Sequence, residues 1–391
     1  MTTIYILFYI SFFILFYNYA GYGLLLFVLI KIKRLFAGKN PQTGIFEPAV
    51  TLIIAAYNEE DFIAEKIANT LALDYPAGKL QLLFITDGST DRTPDIIAQY
   101  PSIQLLHQPG RNGKTAALNR AMQQVTTPVV IFCDANTLLN KEAIRNIVKH
   151  YADENTGGVA GEKKVISEDI SGAAATEGIY WKYESFLKKL DAELYTVVGA
   201  AGELFSIRTA LFQPVEEKVI LDDFVISLRI NISGFRIAYA PDAYAMEAPS
   251  YSIEEEHKRK VRISAGGFQA ILMLKSLLNF FRYPVVSFQY ISHRVLRWTL
   301  SPLSLPVLLI SNIILVLGGA GIFFYLSLSV QLFFYLGALI GYQQAKQHIK
   351  SKLFYIPFYF LFMNLAVYQG FFRFLAKNQS PAWDKAKRNI A

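Results

Sequence analysis

Three groups of side chains in this sequence sit where backbone geometry can turn them into a reacting site. The apolar run Val129-Val-Ile-Phe-Cys-Asp-Ala-Asn136 ends abruptly in Asp134, Ala135 and Asn136. A buried strand that delivers a carboxylate and an amide to its carboxyl end suits an open α/β sheet, where ligands bind beyond the strand ends. Oxygen donors of that kind suit a hard divalent cation. The same eight residues also suit a strand followed by an Asx turn, which is common. Lys114 follows Gly113 at the expected start of a helix, so its ammonium and the free N–H groups could both face a phosphate; a solvated surface lysine is the alternative. Leu221-Asp222-Asp223 puts two carboxylates at another helix start, able to take a proton or simply to complement the helix dipole.

Strands alternating with helices must position these groups. Residues 49–56 are a continuous apolar run of buried parallel-strand type. It ends in Tyr57-Asn58-Glu59-Glu60-Asp61, where an Asn cap and three acids fit the first turn of a helix. A second strand, residues 80–86, breaks at Asp87-Gly88-Ser89-Thr90-Asp91-Arg92-Thr93-Pro94. There Thr93 reads as an N-cap with Pro94 at the first helical position, and Asp91 as a local cap. Residues 103–107 form a third strand, and Arg111-Asn112-Gly113-Lys114 opens a helix over 115–125. This alternation predicts an α/β domain with a mostly parallel sheet. Beyond it, residues 159–166 read as a strand and 173–190 as a helix. Residues 197–208 are rich in small side chains that let backbone approach a ligand. The helix opened by Asp222 closes near Gly234.

The two ends of the chain are of another kind. Hydrophobic residues make up 53% of the sequence, with 30 Phe and 23 Tyr concentrated at the ends. Residues 4–30 carry no charge, a stretch longer than the roughly 20 residues that cross a bilayer. A cleaved signal peptide fits less well, since no basic n-region precedes the run. Lys31, Lys33, Arg34 and Lys39 follow it and place its carboxyl end in the cytoplasm. Residues 303–319, 322–343 and 354–372 are three further apolar runs. Residues 283–298 hold His293, Arg294 and Arg297, so they are expected to lie along the interface, as is the segment from 263. One span before the domain and three after put the tail outside, whereas Lys377, Lys385, Lys387 and Arg388 argue for inside. The single cysteine, Cys133, excludes an internal disulfide and agrees with a reducing compartment. The net charge of +7 flanks the apolar spans, so anionic lipid explains it more simply than nucleic acid.

Taken together, Ala55-Ala56-Tyr57-Asn58-Glu59, Asp87-Gly88-Ser89-Thr90-Asp91, Gly113-Lys114-Thr-Ala-Ala-Leu-Asn119, Asp134-Ala-Asn136 and Asp222-Asp223 occur in the order and spacing of family 2 glycosyltransferases. The chain resembles the membrane-embedded group that contains cellulose, hyaluronan and poly-N-acetylglucosamine synthases. The resemblance covers residues 49 to about 265 by motif, and the flanking segments by architecture.

It implies a GT-A, Rossmann-like cytosolic domain, N- and C-terminal transmembrane helices, and interfacial helices. By the resemblance, Ala55, Ala56, Tyr57 and Glu59 with Asp87 cradle uridine, although Thr86 replaces the first of two acids common before that Gly. Lys114 faces the diphosphate. Asp134 holds Mg²⁺ or Mn²⁺, with Asn136 in place of the usual second acid and hence one negative charge fewer. Asp223 is the implied base for the acceptor hydroxyl, and Asp222 orients it. The family's Gln-x-x-Arg-Trp aligns with Arg259-Lys-Val-Arg262-Ile263, so the Arg survives while Gln and Trp are lost. Arg259 and Arg262 are the remaining cations for the donor, and processive synthesis is in doubt.

The expected domains are a span at 1–34, a catalytic domain at 48–262, interfacial helices at 263–300, spans at 301–376 and a basic tail at 377–391. The expected function is inverting, metal-dependent transfer from a UDP-sugar to a polysaccharide or lipid-linked acceptor on the cytosolic face of a bacterial inner membrane. An accessory subunit is left open. A polyprenyl-phosphate monosaccharide transferase, and a membrane scaffold or transport protein that binds nucleotide without transfer, are the alternatives.

Overall fold

The computed structural model describes residues 1–36, 46–165, 173–248, 252–347 and 352–377. Helix α1 (Thr2–Phe16) passes through a π-helical turn, Tyr17–Gly21, into α2 (Tyr22–Phe36). The α/β region then runs β1 (Val50–Ala56), α3 (Ile63–Leu71), β2 (Leu80–Asp87), α4 (Thr93–Ala98), β3 (Gln104–Gln108), α5 (Lys114–Met122), β4 (Val129–Asp134), β5 (Leu138–Leu139) and α6 (Ala143–Val148). It continues through β6 (Thr156–Val165), α7 (Ala173–Leu194), β7 (Leu204–Arg208), α8 (Asp222–Ile232) and β8 (Arg236–Glu247). Helices α9 (Ile253–Met273), α10 (Pro284–Tyr290), α11 (Leu296–Trp298), α12 (Leu300–Leu317), α13 (Ile322–Lys346) and α14 (Lys352–Leu375) follow.

One sheet organises the domain, in the order β3-β2-β1-β4-β7-β6-β8-β5. Its first half, β3 to β4, is parallel throughout, and β6 pairs parallel with β8; β4–β7, β6–β7 and β5–β8 are antiparallel. Alternate residues of the inner strands face opposite layers, as the pleat requires. Ile53, Leu83, Ile85, Val130 and Phe132 pack with α5 and α8 on one side. Leu52, Ile54, Phe84, Ile131 and Cys133 pack with α3 and α6 on the other. Each such side chain contributes about 1.5–3 kcal/mol by leaving water, which fixes the register and therefore the places where the strands end.

Two cap expectations change. Helix α3 starts at Ile63, with Phe62 and not Asn58 before it. Asn58 instead adopts φ 53°, and its Oδ1 accepts from the Thr90 N–H at 2.8 Å, joining the turn after β1 to the turn after β2. Thr93 does not cap α4: its hydroxyl accepts from the Glu59 N–H at 2.8 Å, while Asp91 Oδ1 accepts from the Thr93 N–H at 3.0 Å. The long strand β8 was not among the expected elements, and it contains Pro241. The proline falls where the β6–β8 register shifts, between Gly161 and Glu162, so no ladder bond is asked of it.

Among the described residues, four helices are long and apolar enough to cross a membrane: Thr2–Phe36, Leu300–Leu317, Ile322–Lys346 and Leu353–Leu375. The last packs along α9. A Cβ on Gly370 would meet Ser264 Cβ at 2.5 Å, and Phe268 stacks between Phe371 and Phe374. Within residues 283–298 the ionisable side chains are turned to partners on α7. His293 is wholly buried with its Nδ1 2.5 Å from Asp191, and Arg294 and Arg297 both pair with Glu184 of α7. Ile166, Lys39 and the tail residues Lys385, Lys387 and Arg388 lie outside the described residues.

Candidate functional site

Because β1, β2 and β4 are parallel and in register, Ala56 lies beside Thr86 and Ala55 beside Asp134. The carboxyl ends of three strands thus open onto one edge, and the turns that follow them form a crevice. Lys114 stands on that edge at the first turn of α5. Its ammonium donates to Asp134 Oδ1 at 2.5 Å. Asp222 and Asp223 occupy the first turn of α8 on the far side.

The meeting point of these groups is Gly202. A Cβ built there would lie 3.0 Å from Lys114 Nζ, 3.3 Å from Asp223 Oδ2 and 3.6 Å from Asp134 Oδ2. One cation and two carboxylates from three distant segments therefore converge on a backbone position that carries no side chain. The loop bearing Gly202 is fixed onto α8. Gly199, at φ 82°, leaves room that a Cβ would take from Phe224, and the Ala200 N–H donates to Ser227 Oγ at 2.9 Å.

Charge is unbalanced here. Burial works against the Lys114 ammonium, but Asp134, Asp222 and Asp223 outweigh it and hold its pKa above the ordinary value. Burial pushes the Asp134 carboxyl up, against the downward pull of Lys114. Burial and the adjacent Asp222 push Asp223 up to about 7. Asp222 is buried, and its Oδ2 has no hydrogen-bond partner among the described residues. Next to Gly202, burial opposes the charge on Glu203, yet Lys163 at 2.8 Å holds that carboxyl well below the usual range.

The oxygen donors suit a divalent cation in kind. Asp134 Oδ2 faces the Gly202 crevice, and Asn136 makes no side-chain hydrogen bond among the described residues. The turn between them is closed instead by Thr137, whose hydroxyl donates to the Asp134 carbonyl at 3.0 Å. Lys66, buried beneath, donates to the Thr137 carbonyl at 2.7 Å. Neither Asp134 nor Asn136 is consumed in an Asx turn, so both remain available to a ligand. No cluster of three or more His, Cys, Asp or Glu suited to a metal occurs among the described residues, so a cation here would depend on ligands from a bound molecule.

The remaining predicted residues divide. Tyr57 and Arg111 stack, with the guanidinium 4.0 Å from the ring centroid, at the mouth of the crevice. Ala55 and Ala56 are buried within β1 and offer only backbone there. Glu59 lies in the turn tied to Thr93. Asp87, 1% exposed, spends its carboxylate on protein: Oδ2 accepts from the Asn112 and Gly113 N–H groups at 2.8 and 2.6 Å, and Oδ1 pairs with Arg120 at 3.3 Å. It thereby holds the loop that presents Lys114. Arg259 is engaged by Glu256 at 2.8 Å, and Arg262 lies partly exposed one turn further along α9.

Residues not singled out beforehand complete the crevice: Gly202, Glu203, Lys163, Arg111 and Trp298. Trp298 packs on Gly267 and against Phe224, one residue past Asp223, close to the helix turn where Ile263 stands in place of the motif Trp. Only Glu203 had a local signal, as the one carboxylate within the small-residue stretch.

Residues 51–215 match the sequence model of glycosyl transferase family 2. The beta-monoglucosyldiacylglycerol synthase of Synechocystis sp. is 27% identical over 239 residues, which are 58% of this chain and 49% of that one. The poly-beta-1,6-N-acetyl-D-glucosamine synthase of Staphylococcus aureus is 25% identical over 263 residues, 64% of this chain and 62% of its own. The chain thus spans about half of the first relative's length and 62% of the second's. Among solved structures, the mannosyltransferase PcManGT of Pyrobaculum calidifontis, in complex with GDP-Man and Mn²⁺, superposes with a TM-score of 0.69 and 21% identity. That alignment covers 95% of this chain and all of that one, and shares its fold. The family match falls on the segment whose strand ends carry the crevice, so residues 51–215 form a domain similar to glycosyl transferase family 2, within a GT-A-like mixed sheet that has apolar helices on both sides.

Proposed function

We propose that the chain transfers a sugar, with inversion, from a nucleoside diphosphate donor to an acceptor presented by the membrane, on the cytosolic side. The observation that carries the reading is the convergence of Lys114, Asp134 and Asp223 on Gly202. The acceptor hydroxyl attacks the anomeric carbon, the bond from that carbon to the diphosphate breaks with its electron pair leaving on the nucleotide, and Asp223 takes the hydroxyl proton. A carboxylate whose pKa lies near 7 suits that task, since it is ionised at working pH and still basic.

Lys114 leaves Asp134 for the donor's diphosphate, with Arg262 as a second cation from α9. Tyr57 and Arg111 flank the base, and Asp87 acts by fixing the Gly113 loop. A bound Mg²⁺ or Mn²⁺ would neutralise the departing diphosphate as a Lewis acid, held by Asp134, Asn136 and the donor itself. UDP is the favoured nucleotide on the motif resemblance; the Pyrobaculum neighbour was solved with GDP-Man, so both belong in the test. The relatives named above make a glycolipid and a polysaccharide, and the loss of the motif Gln and Trp favours short products on lipid. Purified full-length protein, offered radiolabelled UDP- and GDP-sugars with Mn²⁺ or Mg²⁺ and membrane lipid, is expected to yield a labelled lipid of discrete size. Label in free sugar alone under every condition would reject transfer to lipid, and a long polymer would reject short products.

A further inference from the structure

Trp181, on α7, has three ammonium groups around its ring. Lys163, Lys188 and Lys260 place Nζ at 4.9, 5.8 and 5.9 Å from its centroid. Two are matched by carboxylates: Lys163 pairs with Glu203 and Glu247, and Lys260 lies 3.4 Å from Glu256. Lys188 is not. The residue is 3% exposed, and among the described residues its ammonium has the Trp181 ring and no hydrogen bond or ion pair.

The arrangement is specific to this position. Trp181, Glu184, Lys188 and Asp191 recur at helical spacing and form the polar stripe of α7. Glu184 is matched by Arg294 and Arg297, and Asp191 by His293 and the Tyr22 hydroxyl. Lysine is almost never buried unless paired, so a buried, unmatched ammonium beside an aromatic face is a place made for an anion. The stripe reaches the transfer site directly, because Lys163 bonds Glu203 and Glu203 follows Gly202.

We infer that Lys188, backed by Lys260 and the face of Trp181, binds the phosphate of a phosphate-bearing lipid acceptor, holding its hydroxyl or phosphoryl oxygen toward Asp223. The inference rests on the membrane-acceptor reading above and adds that the acceptor is anionic. The phosphate could belong to a glycerophospholipid or to a polyprenyl phosphate, and lysine binds either as a point charge.

The test uses the full chain in detergent with mixed micelles of diacylglycerol, phosphatidylglycerol or undecaprenyl phosphate, and a labelled nucleotide sugar. Label is expected on one of the two phosphate lipids, which identifies the source. Lys188→Met should raise the KM for that lipid about tenfold or more, as loss of a charged hydrogen bond implies. It should leave the KM for the donor and the slow hydrolysis of donor in lipid-free detergent unchanged, and Lys188→Arg should restore most of the difference. Equal use of diacylglycerol by both proteins, or an unchanged lipid KM in Lys188→Met, would overturn the inference. Native mass spectrometry of the same two proteins with phosphatidylglycerol and undecaprenyl phosphate reads binding without turnover, and equal retention of both lipids would overturn it too. Absence of donor turnover in every micelle, with phosphate lipid still retained through Lys188, would count against the transfer reading and not against this subsite.

Discussion

At pH 8 Asp223 must hold a charge that burial and Asp222 disfavour, and that tension links activity to stability. Its carboxyl rises from the ordinary 3.8 to about 7 in the fold, so folding takes up a proton between those values. Stability from this group is present at low pH and is lost as pH rises through about 7. Asp223→Asn removes the cost, so the variant should melt at a higher temperature than the parent at pH 8, with a smaller gain at pH 5 and none below the ordinary value of 3.8; an equal shift at pH 8 and pH 5 would deny that the carboxyl is raised. For the parent, kcat/KM should fall as pH drops below about 7, where the base becomes protonated. At Asp134 the expectation is joint binding of cation and nucleotide. Calorimetry of Mn²⁺ should show strong uptake only with UDP or GDP present, and Asp134→Asn should abolish that dependence; tight binding of Mn²⁺ alone, or in the variant, would contradict it. Asp134, Lys114 and Asp223 were legible in the sequence because each ends or begins an element, where a local pattern announces it. Lys163 and Glu203 were not, since their pairing spans 40 residues and only the β6–β7 ladder brings them together.

The elements that matter most are the turns after the strands. Gly88, at φ 71°, lies so close to Arg111 that a Cβ would sit 2.5 Å from its Cβ and 2.8 Å from its Cα. Gly88→Ala should therefore strain the backbone and displace the Arg111–Tyr57 stack, at a cost of about 1–3 kcal/mol. Thermal melts should show that loss together with a raised KM for the donor; a normal KM would mean that the stack does not touch the base. The parallel strands could be read from continuous apolar runs, because burial on both faces leaves that signature. In the mixed half of the sheet, β8 could not. Strand β8 alternates small and aromatic residues around a proline, and its pairing with β6 is decided by tertiary contacts. The caps at Asn58 and Thr93 went to other partners because the turns after β1 and β2 satisfy each other's N–H groups before either helix needs them.

For the molecule as a whole, the apolar helices form part of the catalytic unit. Helix α14 lies on α9, which carries Arg259 and Arg262, and α9 in turn holds the segment entering Asp222, with Gln269 Oε1 accepting from the Ile220 N–H at 3.1 Å. At Gly370 a side chain would press on Ser264, Ala265 and the Val261 carbonyl. Gly370→Leu should consequently lower kcat even though residue 370 belongs to an apolar helix; unchanged turnover in membranes would show that α9 is positioned without α14. Composition announced these helices, but not that α14 packs on the helix that holds the segment entering Asp222. The central claim, that Asp223 is the base of a sugar transfer at the Gly202 crevice, is tested most directly by one paired measurement. Full-length parent and Asp223→Asn are given labelled nucleotide sugar and membrane lipid, and label in lipid is read beside the Kd for the nucleotide. The expected result is a loss of transfer of about 10²–10⁴-fold with the Kd unchanged. Transfer within a few fold of the parent would contradict it.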